Sequence, residues 1–202
     1  MKEMFKLVFV LTAVSAFAGL LLGVTNHYTR EPIRLTEQRQ LFDSLRKVLP
    51  PADGDPAPLT LTNAAGRSVT LYLAFRNGAL AGAAIPAASP NGYGGPVEIL
   101  LGVNTAGAIQ GIEVLKQTET PGLGSKMTAP AFIAQFLGKP LEGTWKVARD
   151  GGAIDAISGA TISSRALCDA VSQALALYQE FKPALAGALP PAPSTPPRQE
   201  TP

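Results

Sequence analysis

The sequence predicts an α+β fold: a mainly antiparallel sheet with flanking helices, carried behind one N-terminal transmembrane helix. Three observations predict it. The start of the chain is a long uncharged apolar run. The middle alternates apolar and polar residues in short segments joined by Gly-containing turns. A late segment repeats apolar residues at helical spacing. At 202 residues the chain suits one domain plus appendages.

The apolar run is Leu7 to Thr25, 19 residues without a charge. As a helix it spans ~28 Å, enough to cross a bilayer core. Lys2, Glu3 and Lys6 precede it. The rival reading is a cleaved signal peptide, because Ala16-Phe17-Ala18 fits a small-x-small cleavage site. Gly19 to Val24 stays apolar beyond that point, which favours a retained anchor, and no Cys follows that would carry a lipid. Lys2 and Lys6 lie before the helix and Arg30, Arg34 and Arg39 soon after it, so positive charge alone does not favour an outside C-terminus. Long domains translocate largely regardless of flanking charge. A short N-terminal tail therefore predicts an N-in, domain-out topology. At the other end, Leu189 to Pro202 is rich in proline and poor in apolar residues, and it is expected to be disordered. The expected division is residues 1–29 as anchor, 30–188 as the folded domain and 189–202 as tail.

Within the domain, Ile33 to Leu49 has helical apolar spacing ended by Pro50-Pro51, and Pro50 to Pro58 reads as a linker. Val69, Leu71, Leu73 and Phe75 alternate with polar residues, a half-buried strand closed by the hairpin signal Asn77-Gly78, with Leu80 to Ile85 returning. Val97 to Val103 is a more continuous apolar strand; a turn at Asn104 to Gly107 leads into Ile109 to Lys116. Thr128 is placed to cap a helix with Pro130 in its first turn, running to Leu137 and stopped by Gly138. A last helix is expected from near Ser163, with Ser163 or Ser164 as N-cap. Leu167, Val171, Leu175, Tyr178 and Phe181 form its apolar face.

Composition excludes several functions. Lys and Arg total 17 against 15 Asp and Glu, a net charge of +2, too balanced to argue for nucleic acid. A single Cys excludes an intramolecular disulfide and a Cys-based metal site, and the single His27 excludes a two-histidine zinc motif. No catalytic or metal-binding residue is assigned. Redox chemistry would have to come from a bound organic cofactor.

Three Gly-rich loops are left over: Ser89 to Pro96, Glu119 to Gly124, and Asp155 to Thr161. Each alone reads as a tight turn. Together, with their small and hydroxyl side chains, they suggest backbone that approaches a ligand closely. Ser158 and Thr161 bring hydroxyls to a turn just before a helix, where free N–H groups attract phosphate; the competing reading is an ordinary capping segment.

The segment Asp155-x-x-Ser158-Gly159-Ala160-Thr161 resembles the Asp-x-x-Ser/Thr-Gly-Ala-Thr motif of covalently flavinylated FMN-binding domains. Glu119-Thr120-Pro121-Gly122-Leu123-Gly124 and Gly92-Tyr93-Gly94-Gly95-Pro96 look like the family's other two signature loops, in the right order, with Trp145 and Gly151-Gly152 ahead of the threonine as in relatives. With its N-terminal helix and length, the chain is similar to the G subunits of Rnf ion-translocating electron-transport complexes. The related C subunit of the sodium-translocating quinone reductase ranks second. The resemblance implies FMN joined through its phosphate to the Thr161 hydroxyl by a flavin transferase that takes it from FAD. It also implies a carrier of electrons between neighbouring subunits rather than an independent enzyme, in a bacterial inner membrane with the domain on the periplasmic side. It places Asp155, Ser158, Gly159, Ala160, Glu119, Thr120, Gly122, Leu123, Gly124 and Tyr93 around the flavin. One departure stands at Gln117, where many relatives carry His. Trp145 is open between stacking on the flavin and core packing, Lys126 between a counter-charge and a solvated side chain, and Glu119 between serving the flavin and capping its own loop. Cys168 reads as a buried small hydrophobe. A chain of the same fold without flavin, acting as a membrane-anchored scaffold, is the alternative.

Overall fold

The computed structural model describes residues 2–141 and 143–187. The predicted tail at 189–202 lies outside them. The chain divides into two compact units between Leu41 and Phe42.

Helix α1 runs Lys2–Val48. The two helices expected from the sequence are one element. Between Thr25 and Pro50 there is no Gly, and the helix runs through Pro32, the one residue of that stretch that opposes it. In the first unit, Lys2–Arg30 is long and apolar enough to cross a membrane, with a mean hydropathy of 2.5 and no buried residue in its most apolar stretch. Phe9 and Leu22 are 70% and 73% exposed. A side chain of that kind forgoes ~1.5–3 kcal/mol when left in water, which suits the run to a membrane span or to a signal sequence.

The second unit is built on a five-stranded antiparallel meander in the order β1-β2-β3-β4-β5. The strands are β1 Ala57–Thr62, β2 Ser68–Arg76, β3 Ala79–Ser89, β4 Val97–Asn104 and β5 Ile109–Lys116. Asn77 at φ 52° and Gly78 at φ 74° make the predicted β2–β3 turn, both in the left-handed region that a two-residue hairpin demands. The edge strand β1 is a finding beyond the sequence reading. It pairs Leu59 with Leu71 and Leu61 with Val69, and its Pro58 sits where the chain read as linker. An edge strand tolerates proline because one side of its backbone is unpaired.

The sheet has two covered faces. On one, Leu71, Ile85, Ile99, Leu101 and Val103 meet helix α3 (Thr161–Ala186) through Leu167, Val171, Leu175 and Tyr178, the apolar face that periodicity predicts. Trp145 joins this core, stacked on Phe136 at 5.9 Å between ring centroids, and its indole N–H donates to Leu141 O at 3.4 Å. Core packing is therefore its role. On the other face, the last turn of α1 lies directly on the sheet. A Cβ on Gly102 would fall 1.8 Å from Val48 O, and one on its cross-strand partner Gly111 would fall 2.8 Å from Val48 Cα. Only glycine permits that approach.

Two helix starts differ from expectation. Helix α2 is short, Pro130–Ile133, with Ala129 at the N-cap, and Thr128 instead donates back to Ser125 O at 3.0 Å, ending a 3-10 turn at Gly124–Thr128. Helix α3 begins at Thr161 with Ala160 at the N-cap and no side-chain cap. Ser163 and Ser164 are inside its first turn, their hydroxyls engaged elsewhere.

Candidate functional site

The three Gly-rich loops converge at the start of α3. The β3–β4 loop is tied to α3 by Ser89, whose Oγ donates to Asp169 Oδ2 at 2.6 Å, while Asn91 N–H donates to Ser89 Oγ at 3.2 Å. Beyond it the loop lies against the segment after β5: a Cβ on Gly94 would fall 2.0 Å from Thr118 O, and Thr118 Oγ1 donates to Gly94 O at 2.8 Å.

Glu119 joins the first two loops to the first turn of α3. It is 6% exposed. Its Oε1 accepts the N–H of Tyr93 at 2.7 Å and of Gly94 at 3.3 Å; its Oε2 accepts the Ser163 hydroxyl of α3 at 2.7 Å. Gln117 Oε1 in turn accepts Glu119 N–H at 2.7 Å. A buried carboxylate held by three donors is satisfied and costs little. Gly124 makes room for it, since a Cβ there would meet Ser163 Oγ at 2.4 Å and Glu119 Oε2 at 2.6 Å.

The third loop is built by short bonds around Ser164. Its Oγ accepts Ile157 N–H and donates to Ala160 O, both at 3.0 Å, and Ala160 N–H closes a turn on Ile157 O at 2.9 Å with Gly159 at φ 77°. Gln135 brackets Asp155 from outside, its Oε1 accepting Asp155 N–H at 2.7 Å and its Nε2 donating to Asp155 O at 3.3 Å. The result delivers Thr161 as the first residue of an uncapped 26-residue helix. Its first amides have no partner within the helix, and the helix dipole adds positive charge there.

Between these segments lies a cavity of about 840 Å³. Of the residues predicted from sequence, Tyr93, Glu119, Thr120, Leu123, Gly124, Ser158, Gly159, Ala160 and Thr161 line it. Asp155 and Gly122 do not: Asp155 is exposed behind its Gln135 bracket, and Gly122, at φ 74°, donates its N–H to Ser125 Oγ at 2.9 Å to shape the loop. Lys126 is exposed and outside the lining, and Trp145 is in the core. Sequence reasoning missed Arg149, Ala156, Ile157, Ile162 and Ser163. Ile157, Ile162 and Ser163 neighbour the motif and were within reach of it; Arg149 gave no signal, lying 12 residues before Thr161 in an ordinary turn. The walls are mixed: Tyr93, Leu123 and Ile162 present exposed apolar surface, at 71%, 41% and 47%. Arg149 and Glu119 are the charged side chains among the described lining residues. Cys168, on α3, lies outside the lining and is buried, with its thiol pushed up to about 12 by burial and the nearby Asp150 charge.

A concave site with an uncapped helix N-terminus, a hydroxyl on it and partly apolar walls has the features that suit a phosphate-bearing ligand with an apolar part. Residues 92–176, which contain the second and third loops and Gly92 to Pro96 of the first, match the FMN-binding domain family. The chain is 37% identical over 164 residues to the G subunit of the ion-translocating oxidoreductase complex of Vibrio vulnificus, covering 75% of this chain and 78% of that one. It is 36% identical over 187 residues to the G subunit of the same complex from Cereibacter sphaeroides (88% and 85% covered), and 34% identical over 178 residues to that of Methanosarcina acetivorans (86% and 94%). The chain belongs to this family of G subunits. In fold it is similar to NqrC of Shewanella oneidensis, with a TM-score of 0.51 and 22% identity over 64% of this chain and 70% of that one.

Proposed function

We propose that this chain is a membrane-anchored flavoprotein subunit that carries FMN on Thr161 and relays electrons within an Rnf-type ion-translocating oxidoreductase complex. The observation that carries the reading is the placement of the Thr161 hydroxyl on the first residue of an uncapped helix, inside the cavity. The residues fit the group. The open amides of α3 suit a phosphate, the volume lies within the ~300–1,000 Å³ of ligand sites, and Tyr93, Leu123 and Ile162 supply apolar surface for a flat ring.

In attachment, Thr161 Oγ1 bonds to the FMN phosphorus as the pyrophosphate bond of FAD breaks. AMP departs with the bridging oxygen, and the hydroxyl proton passes to the transferase or to solvent. The helix start then faces a phosphodiester of one negative charge. FMN, when bound, accepts and returns one or two electrons. Glu119 holds the Tyr93–Gly94 backbone and Ser163 in register around it, and Gly159 and Ala160 keep bulk away from Thr161. Asp155, on the outer side, is available to a transferase. The helix within 1–29 holds the domain, residues 30–188, on the periplasmic side, where it meets the other subunits of the complex; Leu189 to Pro202 is a tail. One apolar helix with no charge between Leu7 and Thr25 is poorly suited to form an ion path by itself.

The test is Thr161→Val, which keeps shape and removes the oxygen. Co-expressed with the transferase, wild type gives an ultraviolet-fluorescent band on a denaturing gel and Thr161→Val gives none, while both fold. A dark wild-type band supports the flavin-free scaffold, and a fluorescent Thr161→Val band moves the attachment elsewhere.

A further inference from the structure

We propose that Arg149 is the fixed cation that raises the reduction potential of the bound flavin by meeting the polar carbonyl edge of its ring; this rests on FMN occupying the cavity as proposed above. Arg149 sits in a 3-10 turn, Ala148–Asp150, that is locked on both sides. Ala148 N–H donates to Ile154 O at 2.8 Å and Gly152 N–H to Val147 O at 3.1 Å. A Cβ on Gly152 would lie 1.9 Å from Lys146 O, so the turn is folded as tightly as glycine allows. The next residue, Asp150, is gripped by Arg165 of α3, whose Nε and a terminal nitrogen donate to its two oxygens at 2.7 Å each. Asp150 thus pins the turn to the same helix that presents Thr161.

Arg165 takes both oxygens of Asp150 by hydrogen bonds, and Arg149 acts on that carboxylate only weakly and through space. Among the described residues the Arg149 guanidinium makes no hydrogen bond or ion pair, and Arg149 is a lining residue of the cavity. The other charged side chain of the lining, Glu119, is committed to Tyr93, Gly94 and Ser163. The phosphate has its own donors in the first turn of α3. What remains without a partner is the ring's edge of carbonyl oxygens and ring nitrogen, and a guanidinium offers a planar fork of donors to such an edge. That edge gains negative charge on reduction, so a neighbouring cation favours the reduced form.

The experiment uses the full chain co-expressed with the transferase and purified in detergent, as wild type, Arg149→Ala and Arg149→Lys, titrated spectroscopically at controlled potentials. Equal covalent fluorescence is expected in all three. At a fixed potential Arg149→Ala should lose about tenfold in the ratio of reduced to oxidised flavin, ~30 mV for a two-electron couple. Arg149→Lys should recover most of the loss, and the gap between wild type and Arg149→Ala should narrow in about 1 M salt, where exposed charges are screened. An unchanged potential at equal loading overturns the proposal. So does loss of the covalent band in Arg149→Ala, which would assign the residue to attachment. Wild-type protein without fluorescence is a separate result that refutes the FMN reading itself.

Discussion

Glu119→Ala removes the side chain that ties the β3–β4 loop and the loop after β5 to the first turn of α3. Three acceptor contacts vanish, at 2.7, 3.3 and 2.7 Å. The Ser163 hydroxyl is left in a residue 2% exposed, and a buried donor without a partner costs ~1–3 kcal/mol. Tyr93 and Gly94 are exposed residues, so water replaces much of what their amides lose, and each contributes under ~1 kcal/mol. The sum is about 3 kcal/mol, or ~6–12 °C in melting temperature for a unit of this size. Glu119→Gln is the control. Its amide oxygen still accepts from Tyr93 and Gly94, its NH2 donates to Ser163 Oγ, and the expected cost is under ~1 kcal/mol. Thermal denaturation in detergent reads both variants. Covalent flavin fluorescence should fall with Glu119→Ala because the loops separate. If Glu119→Ala melts within about 2 °C of wild type, or Glu119→Gln is as damaging, the three bonds are not what holds the cavity together.

Gly102→Ala should destabilise the domain by at least the ~1–3 kcal/mol of overpacking, because its Cβ meets a backbone oxygen at 1.8 Å, whereas Gly54→Ala, with nothing within 4 Å, should be nearly neutral; equal melting temperatures would contradict the packing of α1 on the sheet. The Cys168 thiol, raised to about 12, stays protonated at pH 8, so maleimide should label it only after unfolding. Its sign in stability follows: the unfolded thiol ionises near 9 and the folded one near 12, so its stabilising contribution is full below pH 9 and is lost as pH rises toward 12. N-terminal sequencing of the mature protein should begin at the initiator end; a new terminus at Gly19 would make the apolar run a signal peptide.

Much of the cavity was legible in the sequence because its chemistry is local. Ser158 to Thr161 is one turn of chain, and the Gly-rich segments at 92–95 and 119–124 each announce themselves by residues that only a tight or close-packed backbone needs. That is why nine of the predicted positions line one cavity. What failed was equally specific. Ser163 and Ser164 have the side chains of an N-cap, and no local rule says that one is taken by Glu119, 44 residues away in sequence, and the other by its own turn. Trp145 was open between cofactor and core until Phe136 came to lie against it.

Sequence by itself determined the α3 apolar face, the β2–β3 hairpin and the apolar span at the start, because each depends on periodicity or on residues within a few positions. Tertiary structure alone decided that Gly102 and Gly111 form the seat for Val48, that β1 closes the sheet edge, and that Arg149 reaches the cavity while Asp150 does not. Those depend on which surfaces meet after the chain has closed on itself. A one-residue change of position in a turn sends adjacent side chains to opposite destinations. Neither charge nor composition distinguishes Arg149 from the other cations of this chain; only the grip of Arg165 on Asp150 does.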